Sequence, residues 1–227
     1  MRKSVLAALM LVLLCGCAGS GVKIQFTERE YETDTEYISI RIPSFSGIAD
    51  NSFQDTLNNA YEADIEACLE HFYEESEKGS DSRTEKSRFE VTQEVCCNKN
   101  QFLSIVSEIY VYTDGLHGSS DRTAKNIDLK QNRVLQLSDL FLDDGYMTRL
   151  TEQVDTILQK NPEKYRDLWE KPVIGEAQQK FFYIKDGNLV LFYPPYELSY
   201  YARGFVEFEI PLENLDGYLK PEYAALA

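Results

Sequence analysis

An α+β fold of two small lobes, antiparallel sheets with helices packed on one face, is what this 227-residue sequence predicts. Three observations lead there. Short runs alternate apolar and polar residues between turn signals, the pattern of half-buried strands. One stretch, from Phe53 to Phe72, repeats its apolar residues at helical spacing instead. Few runs carry the Val/Ile saturation of parallel strands buried on both faces, which favours antiparallel pairing.

Val22, Ile24 and Phe26 alternate with polar residues, and Tyr37 to Ile42 forms a second strand that Pro43, lacking an amide, should end. Ser46-Gly47 and Asp50-Asn51 supply a turn and an N-cap. Phe53, Leu57, Tyr61, Ile65, Cys68/Leu69 and Phe72 then define an amphipathic helix of about six turns, followed by a polar loop from Glu74 to Arg88. Phe89, Val91, Val95 and Cys97 line one strand face. Leu103, Ile105, Ile109 and Val111 line the returning strand, so residues 88–113 read as a long hairpin packed on the helix. Cys68 and Cys97 both point toward that shared core. They are either a disulfide pair or two small buried thiols.

Beyond the glycine-rich break at Asp114 to Ser120, Thr123–Leu129 and Val134–Leu137 read as a second hairpin. Ser138-Asp139 caps a helical turn, Tyr146 to Leu158 is a helix, and Pro162 starts another that carries Tyr165, Leu168 and Trp169. Phe181–Ile184, Leu189–Tyr193 and Phe205–Ile210 are the closing strands. The expected domains are a leader at 1–16, a lipidated cysteine with tether and first strand at 17–34, an N-terminal lobe at 35–113 and a C-terminal lobe at 114–227.

Met1-Arg2-Lys3, the apolar run Ser4 to Leu14 and the small residues that follow form a secretory leader. Leu14-Cys15-Gly16-Cys17 has the pattern of a lipobox, with cleavage after Gly16 leaving Cys17 to be lipidated. The expected location is therefore extracytoplasmic, with the chain held to the membrane by lipid alone; several acyl chains anchor stably, at about 0.8 kcal/mol per buried methylene. Loss of residues 1–16 removes two basic groups, leaving 21 Lys+Arg against 38 Asp+Glu. A phosphate backbone needs the opposite charge, so nucleic acid is excluded as a partner. The acidity keeps an exported domain soluble and also speeds encounter with a cationic partner. Three cysteines in the folded part make no disulfide framework, and no spacing fits a zinc site or a phosphate loop, so no metal or cofactor is expected.

The stretch from Leu191 to Gly204 concentrates Tyr193, Tyr196, Tyr200 and Tyr201 around Pro194-Pro195. The prolines stop the strand, and tyrosine offers a broad ring, a polar tip and few torsions to freeze. Tyr193, Pro195, Tyr196, Glu197, Tyr200 and Tyr201 thus either form a binding loop or close the domain's own core. His117, between Gly115 and Gly118, is a further candidate binding residue. Asp114, Ser119 and Asp121 lie close to it in sequence, but proximity along the chain makes no catalytic triad, and a loop-structuring bond to backbone suits this imidazole better. His71 sits at the polar end of the long helix. No catalytic residue is assigned, and the chain reads as a binder without enzymatic activity.

Several motifs occur together in one order. They are Ile40-Arg41-Ile42-Pro43, Leu57-Asn58, Ser104-Ile105-Val106-Ser107, Gly115-Leu116-His117-Gly118, Leu137-Ser138-Asp139-Leu140-Phe141, Asp186-Gly187-Asn188-Leu189-Val190-Leu191-Phe192, and Pro195-Tyr196-Glu197-Leu198 through Tyr201-Ala202-Arg203-Gly204. The region from 35 to 219 that holds them resembles paired extracytoplasmic domains of unknown function, found in bacterial lipoproteins, in the exported part of the anti-sigma-V factor and beside polysaccharide deacetylase domains. In the anti-sigma-V factor that region binds lysozyme. The resemblance therefore implies a binding module for a cell-envelope ligand, either a cationic lysozyme-like protein or an envelope glycan. The alternative it leaves is a hydrolase or accessory domain acting on envelope polysaccharide. Signalling to a sigma factor is not implied.

Overall fold

The computed structural model describes residues 6–7, 22–78 and 85–227. Leu6–Ala7 (β1) pairs with Tyr31 and Glu30. The rest of the expected leader, and Cys17, lie outside the described residues. Among the described residues no helix is long and apolar enough to cross a membrane.

Lys23–Glu32 (β2) and Glu36–Ser46 (β3) form an antiparallel hairpin in register from Lys23↔Ser46 to Glu32↔Tyr37. Alternation puts Ile24, Phe26, Ile38, Ile40 and Ile42 inside. Pro43, expected to end the strand, instead lies within it opposite Phe26. It comes after Ile40↔Val91, the last pair between β3 and the next strand, so its missing amide removes no bond on that side. That next strand, Ser87–Lys99 (β4), runs parallel to β3 from Glu36↔Ser87 onward. This corrects the expectation of antiparallel pairing throughout: the sheet is mixed, because the long helix between the two strands supplies the crossover that a parallel pair needs.

That helix, α1 (Asn51–Lys78), starts where Asp50 Oδ1 accepts the Phe53 amide at 3.0 Å. Leu57, Tyr61, Ile65 and Phe72 face inward, each such side chain contributing about 1.5–3 kcal/mol by burial. Asn58 clasps both backbone groups of Phe45, at 2.8 and 3.1 Å. The helix runs past its expected end at Phe72 because Ser76 is buried and bonds Ser87 across 3.1 Å, which gives the last turn a partner.

Phe102–Tyr112 (β5), Ser119–Asp128 (β6) and Arg133–Val134 (β7) complete the strand order β1-β2-β3-β4-β5-β6-β7. Residues 1–94 with 107–122 make one compact unit, and residues 95–106 with 123–227 the other. The division passes through strands and not between 113 and 114, because 95–106 pack with the later part of the chain. In the first unit Ile38, Ile40, Ile42, Ile65, Phe72, Phe89 and Val91 form a core, with Cys68 at its margin.

The second unit is built on Phe182–Lys185 (β8), Asn188–Tyr193 (β9) and Val206–Pro211 (β10), an antiparallel sheet in the order β10-β9-β8. Tyr146–Lys160 (α2) lays Tyr146, Leu150 and Val154 into a core that includes Phe182, Leu189, Leu191 and Phe208. Pro221–Ala224 (α3) closes it with Tyr223 and Leu226. The helix expected from Pro162 does not form. Lys164 bonds Asn161 and Leu168 bonds Tyr165, three-residue steps that make turns in place of a helical ladder.

Cys68 and Cys97 are both free thiols, so of the two alternatives, a disulfide pair or two thiols, the structure has the thiols. Cys68 packs on the first unit's core and Cys97 on the second's. Cys96, on the opposite face of β4, packs against the cluster of Val106, Tyr183, Val190 and Phe192. Burial pushes the Cys68 and Cys97 thiols above their ordinary range.

Candidate functional site: an aromatic surface with two carboxylates

Pro194 and Pro195 end β9, as their missing amides require, and the chain turns out through Tyr196 before re-entering at Val206. Leu198 and Ser199 pin the excursion down: both are buried, the Leu198 carbonyl accepts the Trp169 amide at 2.9 Å, and Ser199 Oγ donates to the Asp167 carbonyl at 3.0 Å. Arg203 donates to the Lys164 carbonyl and pairs with Asp167. The loop is thereby stitched to the irregular segment 161–175 of the same unit.

The tyrosines divide into two groups. Tyr193 is only 1% exposed, stands edge-on to Phe208 and donates to the Val173 carbonyl at 3.3 Å. Its assignment as a ligand contact is therefore corrected. As the last residue of β9 it points inward, and burial raises its phenol out of the ordinary range, with Glu197 adding to the effect. Tyr196 is 58% exposed and Tyr200 49% exposed, while Tyr201 is half-buried with its ring 5.5 Å from that of Tyr196. Tyr196 also has φ of +69°, the left-handed region that a bulky side chain seldom occupies. Asn100, Gln101, Asn132 and Asp186, the other non-glycine residues with positive φ among the described residues, are at hairpin turns. An exposed aromatic held in a strained backbone conformation is a pointer to function.

Two residues of the segment bonded to this loop, with no spacing signal to mark them, are exposed as well. Trp169 is 60% exposed and Val173 74%. Trp169, expected on a helix face, lies in a run of turns, and its signal in the sequence is that it is the chain's single tryptophan, three residues before Pro172. Glu170 and Glu197 flank the Trp169–Leu198 backbone bond and both are exposed. Partial burial of its carboxyl, and then the charge of Glu170, hold Glu197 above the usual carboxylate range.

His117 lies in the first unit on the exposed turn after β5, where Leu116 projects fully into solvent. Its Nδ1 is 2.9 Å from the Gly118 carbonyl, the backbone contact expected of a loop-structuring imidazole. Asp114 accepts the Gly115 amide and Asp121 the Arg122 amide, each turned to its own neighbour. The turn sits tightly, since a Cβ on Gly118 would stand 2.5 Å from the Tyr110 ring. Among the described residues no group of three or more His, Cys, Asp or Glu side chains is arranged to hold a metal ion.

Two family profiles match the chain. That described as deacetylase PdaC covers residues 29–120, and that described as a protein of unknown function, DUF3298, covers 138–213. The anti-sigma-V factor RsiV of Bacillus subtilis is 24% identical over 212 residues, spanning 83% of this chain and 67% of RsiV. Among solved structures, a DUF3298-family protein from Bacteroides fragilis superposes with a TM-score of 0.64 at 20% identity, covering 90% of this chain and 96% of its own. Another from Pseudomonas aeruginosa gives 0.56 at 18% identity, covering 98% and 97%. Both share the α+β fold. The chain carries paired PdaC and DUF3298 domains, in that order, and is homologous to the anti-sigma-V factor RsiV.

Proposed function

We propose that this chain is an extracytoplasmic binding module, tethered to the bacterial membrane through lipidated Cys17, whose DUF3298 domain binds a cell-envelope ligand through the loop around Tyr196. The observation that carries the reading is the Tyr196 ring, exposed at a strained φ and steadied by Tyr201. Homology to RsiV supports a role at the envelope, and a lysozyme-like cationic protein is the first partner to try, since the chain carries a net charge of −15. Binding, not catalysis, is the role given to these residues. A ring of this kind contributes about 2 kcal/mol or more at an interface. In titration calorimetry with a cationic lysozyme, Tyr196→Ala should weaken binding by roughly thirtyfold, mainly through faster dissociation, while the melting temperature stays put. Absence of lysozyme binding by the wild-type chain at low salt removes that partner. Unfolding of the variant returns Tyr196 to the core. The tether is checked by the mature N-terminus, which should be Cys17.

The PdaC match favours a second reading, a hydrolase acting on envelope polysaccharide. Turnover of purified peptidoglycan that is lost in His117, Asp114 or Asp121 variants with the fold intact would establish it in place of the binding role.

A further inference from the structure

We propose that the outer edge of β2 is a strand-addition site, which takes an extended segment of a protein partner, paired antiparallel through backbone hydrogen bonds, once the leader has left it. The inference rests on one part of the reading above, removal of residues 1–16. It concerns the first unit, whereas the tyrosine loop belongs to the second.

The edge already carries a strand. Leu6–Ala7 pairs antiparallel with β2, Leu6 opposite Tyr31 and Ala7 opposite Glu30. Both residues belong to the leader, so cleavage after Gly16 takes this strand away. On its other side β2 is paired with β3 along all ten of its residues, in a register that no bulge interrupts. Its backbone is thereby held extended before any partner arrives. Among the described residues its outer groups meet a strand only at Glu30 and Tyr31. Edges are ordinarily blunted by proline, by bulges or by shortness, and Lys23–Glu32 has none of the three. Charged side chains are the remaining protection, but three of the five on this strand are drawn to their own unit. Arg29 reaches Glu62 and Glu66 on α1 at 2.9 and 2.7 Å, Glu28 lies 4.0 Å from Arg41, and Glu32 accepts Lys86 at 2.7 Å. Ile24 and Phe26 are buried, so an added strand finds backbone there in place of an apolar pocket. Such an edge reads N–H and C=O groups in alternation, a ladder that a polypeptide has and a glycan lacks. The occupant is therefore an extended apolar stretch of protein, as Leu6–Ala7 is.

The probe is a blocked, fluorescently labelled peptide of residues 2–9, which contains Leu6–Ala7. It should bind saturably to the mature chain beginning at Cys17 and slow amide exchange in β2. The unprocessed chain, obtained as Cys17→Ser, holds its own copy of the strand at an effective concentration on the order of millimolar, so it should bind the peptide more weakly by roughly tenfold or more. Successive amides of a strand point to opposite sides. N-methylation at Val5 and Ala7, or else at Leu6 and Ala8, should therefore abolish binding in one case and spare it in the other. The two methylated peptides share sequence and charge, which separates backbone pairing from attraction to an acidic chain. Binding that survives both methylations or neither, protection that falls on β6 or β10 and not on β2, or equal affinity of the two chains would overturn the proposal. A dimer of the mature chain joined at β2 that the peptide does not dissociate would give the edge to a second copy and overturn it equally. The leader reading fails separately: a mature N-terminus at Met1 removes it, whereas a chain processed to Cys17 that ignores the peptide removes only the strand-addition site.

Discussion

Tyr223 donates its phenolic hydrogen to Oδ2 of Asp128 across 2.8 Å, joining positions 95 residues apart in the interior of the second unit. Asp128 Oδ1 already accepts the amides of Lys130 and Gln131, so this carboxylate closes a turn and holds α3 with the same group. Burial, and then the bond to Asp128, push the Tyr223 phenol above its ordinary range, which keeps it a donor. Tyr223→Phe retains the edge-on packing with Phe102 but strips a buried acceptor of its partner. The expected loss is about 2 kcal/mol in chemical denaturation with an unchanged denaturant slope. An unaltered midpoint would show that water replaces the phenol.

Strand β8 lies at an edge of its sheet, yet its backbone is not left open. Asn126 Nδ2 donates to the Phe182 carbonyl at 2.8 Å, Ser104 Oγ accepts the Ile184 amide at 3.1 Å, and Ser104 donates to Asn126 at 2.7 Å. Two fully buried side chains thus do what a further strand would otherwise do. Asn126→Ala orphans the Phe182 carbonyl and the Ser104 hydroxyl, and should cost on the order of 3 kcal/mol. Amide exchange at Ile184 should quicken with it, and unchanged protection there would refute this bracing role.

The helical turn at 137–140 is tied by Asp139, which accepts the Gln136 amide at 2.8 Å and pairs with Arg133 at 2.9 Å. Desolvation pushes this carboxyl up, but the Gln136 amide and Arg133 outweigh it, so its pKa in the folded chain lies below the ordinary value of 3.8. A depressed folded pKa means stability that is present above the unfolded value and is lost as pH falls through the folded one. Asp139→Asn should therefore cost about 1 kcal/mol near neutrality, discounted because both partners are partly exposed. The gap from wild type should narrow as pH drops below about 4. A gap independent of pH would mean that the carboxylate's charge contributes nothing.

At Tyr196 the backbone strain gives a signature separate from binding. Any side chain with a Cβ is disfavoured at φ of +69°, by roughly 1 kcal/mol, whereas glycine is not. Tyr196→Gly should therefore be more stable than Tyr196→Ala by about that amount, the reverse of the usual order, while both lose the partner alike. A glycine variant less stable than the alanine variant would show that the conformation is not strained.

Elements decided by local chemistry were legible in the sequence. Alternation in β2, β3 and β10 and the spacing of Leu57, Tyr61, Ile65 and Phe72 each bury one face, and the Asp186-Gly187-Asn188 turn needs only its own residues. Pro194 and Pro195 marked the exit from β9 because a missing amide acts locally. What the sequence did not reveal depends on which distant partner each group meets. Pro43 stays in a strand because β4 stops pairing before it, α1 gains length because Ser87 waits for Ser76, and Tyr193 is core because Phe208 and the Val173 carbonyl receive it. Trp169 and Glu170 lie beside the tyrosine loop because Trp169 bonds Leu198 and because Ser199 and Arg203 bond the residues just before them, and no periodicity in the chain encodes contacts of that range. By itself the sequence determined where strands, helix faces and breaks must fall, since those follow from residue spacing and proline chemistry. Only the tertiary structure decided which aromatics are core and which face solvent, since that turns on packing partners far away in the chain.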